Sequence, residues 1–305
     1  MEAKHFFAGI FLVIVLILLG GYSIYSFMSE ELEFSANPRN YNFSLNNSSS
    51  DGMQYYPNMR YIENEIYYRI DNCEKKKSQD MKDAFEIMEN LTILEFKEIS
   101  EREELYITCN ETARFENNMF IAGEAVPSKV VPTGLYNIIL RGEILLIKDS
   151  ACEDPNIAIH ELLHALGFNH SNNPNNLMYP ITSCKQTIGE EIPELINQVY
   201  SVENLPDLMF ENATARKHGI YLDIDASIRN AGLNDANGFI LDIISNGKIM
   251  RQFKIEKIEI GTGKMITLTS LLLTKFNLDD ITLYINSTDR ELNKENNNIT
   301  LGILS

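Results

Sequence analysis

The segment His160-Glu161-Leu162-Leu163-His164-Ala165-Leu166-Gly167-Phe168-Asn169-His170 decides how this chain is read, because it holds three of the chain's five histidines. On a helix, positions i and i+4 share one face, so His160 and His164 can present both imidazoles to one ion. Gly167 permits a backbone reversal that a side chain would oppose, and the reversal lets His170 approach the same point. Three neutral nitrogen donors with a fourth position left open is the ligand set of a catalytic zinc, here one Zn2+ ion. Glu161, next to the first ligand, is placed to take a proton from a water that the ion activates and to pass it to a leaving amine. Asp154 and Pro155 are expected as N-cap and first-turn residue of this helix.

Around the motif, residues 56–203 mix strands and helices. EIYYRI (65–70), LEFKEI (94–99), ELYITC (104–109) and EILLIKD (143–149) read as strands, while Met81, Ala84, Phe85 and Met88 fall at helical spacing. A last helix places Ile192, Leu195, Ile196, Val199 and Tyr200 on one face, with Pro193 in its first turn. These elements predict an α+β domain. Beyond residue 204 the period changes to two: Leu222, Ile224, Ala226 and Ile228 alternate with Asp223, Asp225, Ser227 and Arg229. Asn230–Gly232 and Asn246-Gly247 supply turns, and further strands follow to residue 305, so 204–305 is expected to be an all-β sandwich.

The N-terminus sets the compartment. Phe6–Met28 contains no charge and is long enough for a helix to cross a bilayer. Lys4 precedes it and Glu30, Glu31 and Glu33 follow, which places residue 1 in the cytoplasm and the rest outside. Residues 1–28 are therefore read as cytoplasmic tip and transmembrane anchor, with a cleaved signal peptide and secretion as the alternative. The Ser- and Asn-rich residues 29–55 read as a flexible stalk. The net charge of −17 and the lack of a Lys/Arg cluster exclude nucleic acid as a partner. The acidic loops lack an EF-hand spacing, so no calcium site is assigned.

Cys73, Cys109, Cys152 and Cys184 all fall in the α+β domain, and outside the cytoplasm they would pair. Cys73 with Cys109 and Cys152 with Cys184 is the favoured arrangement of the three that four cysteines allow.

The sequence HELLHALGFNHS (160–171) followed by NNLMYP (175–180) resembles the metzincin zinc metalloproteases, and the Leu-Met-Tyr-Pro form is most similar to matrixins. The resemblance implies a twisted mixed sheet with helices and a zinc site in a cleft, and a peptide or protein substrate. It makes His160, His164 and His170 the ligands, Glu161 the general base and Met178 an apolar floor beneath the metal. A tyrosine two positions after that methionine joins the metal in some relatives. Pro180 stands there in this chain, so Tyr179 is read as a packing residue. By the same likeness the strand near Phe120–Val126 is the sheet edge that pairs with an extended substrate. No cysteine-switch motif is present, and too few histidines remain for a second, structural zinc.

Residues 205–305 resemble the CARDB type of immunoglobulin-like sandwich found in bacterial and archaeal surface proteins. Such a module fits a cell-envelope ligand or a spacer. Two functions are thereby expected: a membrane-anchored extracellular zinc endopeptidase or, as alternative, a surface adhesion protein whose zinc domain is vestigial or structural. His5 and His218 lie far from the motif and are assigned no role.

Overall fold

The structure, a computed structural model, describes residues 15, 17, 31–35, 53–110, 114–116, 119–149, 152–272 and 280–303. The apolar run 6–28 lies outside them save for residues 15 and 17, and among the described residues no helix is long and apolar enough to cross a membrane.

The first domain is built on a mixed sheet. Its strands run in the order Met59–Tyr61, Asn137–Leu146, Leu105–Cys109, Glu65–Asp71 and Glu95–Glu98, all paired in parallel. Strand Gly123–Pro132 lies antiparallel along Asn137–Leu146, its only strand partner among the described residues, and so forms an edge. Helix Lys75–Leu91 buries Met81, Ala84, Phe85 and Met88, the four positions that carry the helical spacing. They share one core with the helix Asn156–Ala165, with Ile66, Leu105, Ile107 and Ile144 of the sheet, and with Ile192, Leu195, Ile196 and Val199 of the helix Glu191–Tyr200. Pro193 sits in the first turn of that last helix, where its missing N–H breaks no helical bond.

The second domain is a sandwich of two four-stranded halves. One orders Lys248–Ile255, Phe239–Ser245, Ile281–Asn286 and Asn298–Ile303; the other orders Glu31–Ser35, Leu208–His218, Tyr221–Asn230 and Gly263–Leu272. Leu222, Ile224, Ala226 and Ile228 point into the core between them, facing Leu241, Ile243, Leu283 and Leu301. Asn246 and Gly247, both with left-handed φ (49° and 69°), close the two-residue hairpin between Ser245 and Lys248.

The segment expected to be a stalk is drawn into both domains. Residues 31–35 form a strand that pairs antiparallel with Leu208–His218 along its length and with Asn298–Ile303 at its end, joining the two halves of the sandwich. Residues 53–55 dock against the first domain. The remaining residues of that segment, 29–30 and 36–52, lie outside those described. The strand Glu31–Ser35 starts with an alternation of charged and apolar residues, but it is only five residues long and its partners stand far away in sequence.

The domains meet through Tyr136, Ile138 and Leu233, which form a small core of their own. Arg229 donates to the Pro132 carbonyl at 2.7 Å, and Arg290 grips Glu203 through two bonds of 2.9 Å. Arg60, 1 % exposed, donates to the carbonyls of Tyr61, Ile62 and Val199 and to Asn204 Oδ1, tying the end of the last helix to the sheet where the second domain begins.

Candidate metal centre and active-site cleft

The active-site helix runs Asn156–Ala165, and all ten of its residues are buried. It starts one residue later than expected: Pro155 occupies the N-cap and no side chain caps the helix. His160 and His164 lie one turn apart, with their Nε2 atoms 3.1 Å from each other. The helix ends in a Schellman turn, Gly167 N–H to His164 carbonyl at 2.9 Å and Phe168 N–H to Leu163 carbonyl at 3.0 Å. Gly167 takes φ +96°, and a β-carbon there would also come within 2.8 Å of Met59 Cβ, so the position excludes a side chain twice over. The reversal brings His170 Nε2 to 3.1 Å from His164 Nε2.

One nitrogen from each histidine thus lies within 4.8 Å of the others. The opposite nitrogens are held: His160 Nδ1 is 2.7 Å from the Leu177 carbonyl and His164 Nδ1 2.9 Å from the Phe168 carbonyl. Donating from Nδ1 to a carbonyl leaves Nε2 with its lone pair free, which is the tautomer a metal ligand needs. Burial keeps the imidazoles neutral. It lowers His160 and His170, and burial together with the neighbouring His160 lowers His164 to about 4. Three convergent neutral donors, each oriented from behind or by the turn, fit a zinc ion.

Glu161 lies beside this cluster, 5 % exposed. Burial, with Glu124 adding repulsion, pushes its carboxyl up to about 8, and a dication nearby would draw it back down. Glu161, the three histidines, Gly123–Val126 of the edge strand and Pro180–Cys184 line one open cleft of about 890 Å³. Leu177 and Met178, just ahead of Pro180 in the chain, are both buried. Met178 is 1 % exposed, its N–H is bonded to Asn176 Oδ1 at 2.8 Å, and its carbonyl accepts from Ser171 N–H at 2.8 Å. Tyr179, by contrast, is half-buried. Both favoured disulfides are present, Cys73–Cys109 and Cys152–Cys184. The second joins the approach to the active-site helix to the segment after Met178, across the cleft wall.

Two contributors escaped the sequence reading. Tyr55, placed at the last residue of the stalk, lines the cleft and stands 2.9 Å from His164 Nδ1. Gly123 abuts Glu161. An isolated glycine inside a strand pattern is a general sign of close backbone approach and could have flagged the second. His218 lies in the sandwich near Asp223 and plays no part in the cleft.

Residues 60–200 match the family model described as Matrixin, and residues 205–301 match the model described as CARDB. No curated protein matches the chain. Among solved structures, a domain of a putative cell surface protein from Methanosarcina acetivorans is similar at 16 % identity, covering 33 % of this chain and 93 % of its own, with a TM-score of 0.28. The CARDB domain of a Pyrococcus furiosus protein, solved in complex with di-metal ions, is similar at 16 % identity, covering 33 % of this chain and 88 % of its own, with a TM-score of 0.26. The chain therefore carries a matrixin-like zinc metallopeptidase domain followed by a CARDB-like β-sandwich.

Proposed function

We propose that this protein is a membrane-anchored extracellular zinc endopeptidase in which His160, His164 and His170 hold the ion and Glu161 is the general base. The observation that carries the reading is the convergence of three Nε2-free imidazoles beside a buried carboxylate in an open cleft. Zinc supplies the Lewis acid that polarises a peptide carbonyl and makes an attacking water acidic. Glu161 takes the proton of that water on its carboxylate and hands it to the amine nitrogen as the peptide bond breaks, so hydrolysis needs no covalent enzyme intermediate. The strand Gly123–Pro132 has Asn137–Leu146 as its only strand partner among the described residues and lines the cleft at Gly123–Val126, so an extended peptide would lie beside it as a further strand.

The anchor rests on the uncharged run Phe6–Met28 with Lys4 before it and three glutamates after it. Outside the membrane the two disulfides persist. The second reading, a surface binding protein, is favoured by the CARDB match alone. It predicts a bound envelope ligand without cleavage. Incubating a peptide library with the full-length protein in detergent, beside Glu161→Ala, separates the two. Cleavage by the wild type only supports the endopeptidase, and silence of both despite bound zinc favours the binding protein.

A further inference from the structure

Met53–Tyr55 behaves as a short extra strand on the turn that joins the second and third histidines. Asn169 donates its backbone N–H to the Met53 carbonyl at 2.9 Å, Tyr55 donates its own to the Gly167 carbonyl at 2.9 Å, and Gln54 bridges antiparallel to Phe168. Gln54 fastens this strand from the other side. Its buried amide donates to the Met59 carbonyl at 2.9 Å and accepts from the Met59 N–H at 3.1 Å.

The consequence is the placement of one side chain. The Tyr55 ring lies nearly parallel to His164, 23° between planes and 6.0 Å between centroids, and its hydroxyl is 2.9 Å from His164 Nδ1. That nitrogen is turned away from the cluster formed by the three Nε2 atoms. If Nε2 is to offer a lone pair, Nδ1 must carry the proton, and this N–H has two acceptors in reach: the Phe168 carbonyl and the Tyr55 hydroxyl. The carbonyl belongs to the same turn as the histidine, whereas the hydroxyl comes from a separate segment held by its own ladder.

We propose that Tyr55 is a positioning residue of the metal site: its hydroxyl shares the Nδ1–H of His164 with the Phe168 carbonyl, holding the ring in the tautomer and orientation that aim Nε2 at the ion. The inference rests on the reading of the triad as a metal centre. Tyr55 acts through His164 and does not touch the reacting atoms. The segment ahead of the catalytic sheet thus becomes part of the site.

The test compares full-length wild type with Tyr55→Phe, which keeps the ring and removes only the hydroxyl. Zinc affinity is read by competition with a chromophoric chelator, ligand geometry by the visible spectrum of the cobalt-substituted protein, and packing by the thermal midpoint of the metal-free protein. Loss of a partner behind a metal-bound histidine weakens binding about 10–100-fold, so we expect Tyr55→Phe to lose about tenfold in zinc affinity and to shift the cobalt bands. The metal-free midpoint should not move. Gln54→Ala, which loosens the ladder, should change affinity in the same direction. Equal affinity and an identical cobalt spectrum in Tyr55→Phe would overturn the proposal, as would a loss of affinity matched by a fall in the metal-free midpoint, which marks packing. A wild type that takes up no zinc would overturn the metal reading itself, a result distinct from either.

Discussion

Gly123 and Glu161 stand so close that a β-carbon on the glycine would lie 2.6 Å from Cγ and 2.7 Å from Oε1 of the glutamate. The edge strand and the active-site helix touch at this point, and the carboxylate occupies the space a larger residue would claim. The edge strand and the Glu161 carboxylate are therefore positioned against each other.

Gly123→Ala should move the carboxylate without touching the histidines. A displacement of about 1 Å at a catalytic group costs on the order of 100-fold, so kcat is expected to fall by about 10–100-fold while zinc content stays that of the wild type. Steady-state kinetics with parallel metal analysis checks this. An unchanged kcat would mean that the placement of Glu161 against the strand is not what sets its activity.

Gly167→Ala should damage the metal site and the fold together. The left-handed backbone costs a β-carbon about 1–2 kcal/mol, and the contact with Met59 adds to it. Loss of His170 from the cluster follows. The expected result is a lowered thermal midpoint with zinc binding weakened beyond what Tyr55→Phe causes; a variant with native stability and affinity would contradict the described turn.

The disulfide Cys152–Cys184 spans a separation of 32 residues around the active-site helix and the Met178 turn. Closing a loop of that length is worth about 3–4 kcal/mol on the chain-entropy account. Cys152→Ser/Cys184→Ser should lower stability by an amount of that order and broaden the cleft wall, raising KM more than it lowers kcat. Denaturant unfolding and kinetics of the double variant read both effects.

Stability should also depend on pH through Asp207, at the start of the sandwich. Burial pushes its carboxyl up to about 6 from 3.8, the bond from Asn296 opposes this, and Glu291 adds repulsion. Because the folded value is the raised one, the fold favours the protonated acid. The contribution is fully present below about pH 4, is lost as pH rises through about 6, and stays flat above. The loss is roughly 3 kcal/mol. Asp207→Asn, which cannot ionise, should be the more stable protein at pH 7 and lose that advantage at pH 4; equal urea midpoints for the two proteins at both values would contradict the assignment.

What was legible in the sequence follows the range of the interactions involved. His160, Glu161, His164, Gly167 and His170 are neighbours in the chain, and helical spacing plus one glycine brings three imidazoles together. Leu222 to Ile228 and the Asn246-Gly247 turn are likewise local, and they appear as expected. Apart from the two disulfides, contacts between distant segments did not show. Tyr55 meets His164 across 109 positions, and strand 31–35 finds its partners near residues 214–218 and 302–303. Neither leaves a pattern in its own few residues that names the partner. The N-cap moved by one residue because the N–H of Asn156 turns back to the Asp154 carbonyl, setting Pro155 ahead of the first helical turn.

The central claim is that one zinc held by three histidines serves the base Glu161. The most direct measurement is a zinc titration of metal-free full-length protein, following peptide cleavage and bound metal together in the wild type and in Glu161→Ala. The account predicts that activity of the wild type rises and saturates at one equivalent of zinc, and that Glu161→Ala binds the same equivalent and stays silent. Cleavage that persists in Glu161→Ala, or that appears without bound zinc, would contradict it.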